Sequence, residues 1–133
     1  MKRLLGMAML AIVVAGGLSC GDTTAPSGPG TLQIRLTSPN SGADSAIVLT
    51  ITGPAPLTSA TAGAGLRLFS QPLGGTTTRF AMTGQLNGGA TILTIGVADI
   101  GAVSQYAGTI QGVATPTYQL RPTLSGYALA VIR

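Results

Sequence analysis

Cys20 is the residue whose type and surroundings come closest to naming a reaction. It is the only cysteine among 133 residues, so it has no partner with which to staple its own fold. The chemistry left to its thiol is acylation or service as a free nucleophile. The rest of the inventory mostly closes doors. The sequence holds no histidine and no glutamate, and its acidic residues are Asp22, Asp44 and Asp99. A serine-histidine triad, imidazole or multi-thiolate zinc ligation, and glutamate general acid-base catalysis are therefore excluded by composition. Asp44 and Asp99, brought together by the fold, would give calcium only two of the six to eight oxygens it needs. No loop spacing accompanies them, and the plainer expectation is a loop acceptor at Asp44 and a turn or helix cap at Asp99. No catalytic residue, metal site or cofactor is expected.

The residues ahead of Cys20 say what its thiol is for. Lys2 and Arg3 form a positive start, residues 4–17 are apolar over the length of a signal-peptide core, and the run closes on Gly17-Leu18-Ser19-Cys20 before a polar tract rich in Pro and Gly. The Ser19-Cys20 pair resembles the end of a bacterial lipoprotein signal. That resemblance implies a signal peptide over residues 1–19, cleavage before Cys20, and acyl chains on the Cys20 thiol and new amino group, because stable attachment takes more than one chain. An ordinary secretory signal cleaved nearby, with Cys20 left as a free thiol or removed altogether, is the alternative for the same run. Residues 4–18 are shorter than the roughly 20 apolar residues of a membrane-spanning helix. Residues 20–30 then read as a lipidated N-terminus and flexible tether, since Pro26 and Pro29 lack donors and no apolar period runs through them.

Two further sets of side chains are candidates for recognition. Tyr106, Tyr118 and Tyr127 would make a shallow sugar or peptide platform if exposed together, aromatic rings supplying contact area with a polar rim; separately they are residues at the margin of a core. The formal charge of +4 includes Lys2 and Arg3, which leave with the signal. Five arginines then stand against three aspartates, dispersed along the chain rather than clustered, which argues against a nucleic-acid partner.

The elements that would position these groups read as strands. Residues 31–37 alternate Leu32, Ile34 and Leu36 with polar neighbours, and residues 46–52 alternate Ile47, Leu49 and Ile51 with smaller ones. Gly53-Pro54 ends the second strand, and residues 55–65 read as a loop of small residues. Residues 66–71 form a shorter strand closed by a turn at 72–75. Residues 77–86 and 89–97 flank Asn87-Gly88, the strongest local signal for a tight hairpin in the chain. A short helical turn follows at 99–105, then strands at about 106–114 and 127–132, with Tyr106 and Ile110 on one face of the former and Val113 on the other.

Seven or eight short strands, turn residues between them and no long helix predict an all-β fold, an antiparallel β-sandwich over residues 31–133, with a barrel other than the outer-membrane kind as the alternative. The stretches GTLQIRLTSP (residues 30–39), TITGP (50–54) and GYALAVIR (126–133) resemble small bacterial lipoproteins and immunoglobulin-like secreted domains, and more remotely cohesin-like sandwich modules. The resemblance implies an immunoglobulin-like or cohesin-like sandwich and, through the cohesin-like modules, protein docking; it carries over no functional residue. The expected protein is a non-enzymatic envelope lipoprotein for protein binding or surface organisation. It is lipid-anchored at the periplasmic or outer surface through Cys20, with an envelope protein or glycan as partner. A small carbohydrate- or peptide-binding module using the three tyrosines is the second reading.

Overall fold

A computed structural model describes residues 26–133. The expected signal peptide, Cys20, Asp22 and the rest of residues 20–25 of the expected tether lie outside them. Eight strands form two four-stranded antiparallel sheets that face one another: β1 (Gly30–Thr37), β2 (Asp44–Thr52), β3 (Ser59–Ala62), β4 (Arg67–Gly74), β5 (Thr77–Leu86), β6 (Thr91–Val97), β7 (Ala107–Ala114) and β8 (Ala128–Ile132). One sheet runs β3-β6-β1-β8 and the other β4-β5-β2-β7. This is the all-β sandwich expected from the alternation.

The core is the set of inward positions that the alternation marks. Leu32, Ile34 and Leu36 from β1, with Leu93 and Ile95 from β6, face Ile47, Leu49 and Ile51 from β2 and Phe80, Met82 and Leu86 from β5. Burying one such side chain contributes about 1.5–3 kcal/mol.

Three irregularities interrupt the pairing, and the first two decide which side chains reach this core. Ile34 pairs with Leu93 and Arg35 with Thr91, so Ile92 is an extra residue in β6, and Ile92 and Leu93 are both buried. In β7, Leu49 pairs with Ile110 and Val48 with Gly112. Gln111 is the extra residue, and Val113 is buried while Ile110 also packs on the core, although strict alternation sets them on opposite faces. In β5, Gly84 has φ +134° within the shifted stretch opposite Asp44 and Ala46, and a Cβ there would meet the Gly65 carbonyl oxygen at 2.7 Å.

Several boundaries differ from the sequence expectation. Strand β3 lies inside the expected loop 55–65, its small residues held by pairing Ala60 with Ile95. Strand β4 continues through Pro72 and Leu73 to Gly74, so that only Gly75 of the expected turn at 72–75 lies in a turn, which it forms with Thr76. The expected hairpin at Asn87-Gly88 does not form. Strand β5 belongs to one sheet and β6 to the other, because both arms carry an apolar face and those faces meet across the core. The Gly89 amide instead donates to the Leu36 carbonyl at 2.6 Å, and the Gly88 amide to Ser41 Oγ at 2.8 Å. The hairpin is β4–β5, where Gly74 pairs with Thr77 and Gly75 takes φ +58° in the turn. A 3-10 helix at Ile100–Gln105 occupies the expected helical turn, with Asp99 as its cap.

Candidate functional site

Asp44 begins β2 and is 1% exposed. Arg121 Nε donates to its Oδ1 at 2.7 Å, and the Tyr127 hydroxyl donates to its Oδ2 at 2.5 Å. Arg121 Nη2 also donates to the Ala43 carbonyl at 3.2 Å, and Asn40 Nδ2 donates to the Tyr127 oxygen at 2.9 Å. The hydrogen bond to Asp44 raises the Arg121 pKa above its ordinary value, outweighing the desolvation that lowers it. Both carboxylate oxygens are engaged by protein donors, so the cluster works as a latch that ties the segment after β7 to the start of β2. Sequence separations of 77 and 83 residues left no local signal for it.

Asp99 lies at the other end of the sandwich. Its Oδ1 accepts from the amides of Gly28 and Gly101, each at 2.9 Å, as a cap does. Asp99 follows β6, whose Val97 pairs with Gly30 at the start of β1, whereas Asp44 bonds Tyr127 beside Ala128, which pairs with Thr37 at the end of β1. The length of β1 separates the two carboxylates, roughly 23 Å at strand rise. They do not converge on calcium or on a hydroxyl.

The tyrosines are likewise dispersed. Tyr106 is buried with its ring against Gly53, Tyr127 belongs to the Asp44 latch, and Tyr118 is 94% exposed. The three do not share one platform. Tyr118 has φ +65° and follows a turn in which its amide donates to the Thr115 carbonyl at 2.9 Å. That left-handed position favours glycine.

Apolar side chains meet solvent at Leu120, 74% exposed in the segment after β7, and along the edge strand β4. Phe69 is 58% and Leu73 43% exposed. Phe69 pairs with Ala81 and Gln71 with Arg79, and these four residues with Ser70 line an open groove of about 160 Å³. On the inner side of the same strand, Ser70 and Pro72 face Leu57, Ser59 and Ala60 across a cleft of about 200 Å³ between the sheets. Both volumes fall below the roughly 300 Å³ at which small-molecule pockets begin. A proline inside a strand is a sequence mark of a sheet edge, and Pro72 is the available signal for this one.

No protein-family model matches the chain, and comparison with curated proteins and with solved structures finds no similar one. Among the described residues no helix is long and apolar enough to cross a membrane.

Proposed function

We propose that the chain is a non-enzymatic lipoprotein of the cell envelope, attached through acylated Cys20, whose β-sandwich binds another protein. The observation that carries the binding role is β4, a sheet-edge strand with Phe69 and Leu73 exposed. An exposed edge with apolar side chains is a template for an added strand. The cohesin-like resemblance points to the same kind of partner. The shallow volumes beside β4 suit an extended chain better than an enclosed ligand.

Two measurements test the two halves. Intact mass of the protein from the membrane fraction is expected to give a chain beginning at Cys20 with added acyl mass; an unmodified chain beginning elsewhere removes the anchor. A photo-crosslinking residue at position 71, on the outer face of β4, is expected to capture a discrete protein adduct in the native envelope, while one at exposed position 109 on β7 does not. The absence of an adduct at 71 removes the protein-binding role.

A further inference from the structure

We infer that β4 accepts an extended partner segment in which apolar and acidic residues alternate, an inference that rests on the protein-binding reading and specifies its chemistry. Alternation along β4 puts Arg67, Phe69 and Gln71 on the outer face and Leu68, Ser70 and Pro72 toward the other sheet. A strand added beside β4 inherits the same two faces. Its inward side chains enter the cleft of about 200 Å³ lined by Leu57, Ala60, Ser70 and Pro72, which has room for small aliphatic groups and no charge to meet an ion. Its outward side chains lie beside Arg67, with Arg79 on the same face one strand further in.

Charge selects the outward residues. Arg121–Asp44 is the ion pair among the described residues, and Asp99 is engaged by two backbone amides. Arg67 and Arg79 have no carboxylate partner among the described residues, so an incoming acidic side chain supplies one. Edge-strand prolines turn their missing donor side to solvent, so Pro72 ends the pairing stretch and leaves residues 67–71 as the site.

The test uses the isotope-labelled full chain in a neutral detergent micelle and the capped heptapeptide of alternating valine and aspartate. At millimolar peptide, amide exchange is expected to slow at residues 67–71. Replacing the aspartates by lysine weakens binding by about fivefold, the upper range for an exposed pair, and Arg67→Glu reverses that preference. Equal binding of both peptides, protection at residues 115–121 instead of β4, or no protection overturns the inference. An envelope adduct at position 71 without peptide protection overturns only the acidic-strand inference; no adduct there removes the protein-binding reading as well.

Discussion

On the β7–β8 side of the sandwich, Gly108 leaves room for Leu129 and Ile51, and a Cβ at 108 would meet Leu129 Cδ1 at 2.8 Å. The chain after β7 folds back, the Arg121 amide donating to the Val113 carbonyl at 2.8 Å before its side chain reaches Asp44. On the opposite side, a four-residue β3 faces β4 across an open cleft. One side is fastened by close packing and an ion pair, with Tyr118 and Leu120 exposed on the segment that folds back over it; the other ends in a strand that itself carries two exposed apolar side chains, Phe69 and Leu73. Sheet edges invite pairing unless covered or blunted, and the contrast locates where this fold leaves one available.

The largest expected effect falls on the fastened side. Asp44→Ala leaves the Tyr127 hydroxyl without its acceptor, while Arg121, whose side chain is 24% exposed, turns to water; it is expected to lower stability by about 1.5–3 kcal/mol, the range for a hydrogen bond to a charged group, read from the urea midpoint. Gly84→Ala forces a side chain into a positive φ and against the Gly65 carbonyl, at a cost of about 2 kcal/mol, read the same way. Tyr118→Gly relieves a left-handed tyrosine and is expected to raise stability by about 0.5–1 kcal/mol. Phe69→Ser, on the open side, is expected to change stability by less than about 0.5 kcal/mol while abolishing the envelope adduct formed from position 71. A stability loss at Phe69 as large as that at Asp44 would erase the contrast between the sides.

The strands that bury one clean face were legible in the sequence: β1 and β2 alternate without interruption over their apolar residues. The failures have physical causes. Asn87-Gly88 carries the local chemistry of a hairpin, but local chemistry does not say whether two apolar arms lie side by side or face each other. The extra residues Ile92 and Gln111 reset the alternation, which is why Ile92 and Leu93 are buried together and Ile110 and Val113 both turn inward. Asp44 was readable as an acceptor, but its partners came from residues 77 and 83 positions away. The tyrosines were readable as aromatic and not as neighbours or strangers, because Tyr106 sits at the Gly53 end of the sandwich while, at the Asp44 end, Tyr127 is drawn into the latch and Tyr118 is left in solvent.

Native-state amide exchange tests the contrast between the two sides most directly. The slowest-exchanging amides of β4 are expected to open by local fluctuation, at least about tenfold faster than the slowest of β7, which should follow global unfolding. Equal protection of β4 and β7 would contradict the account.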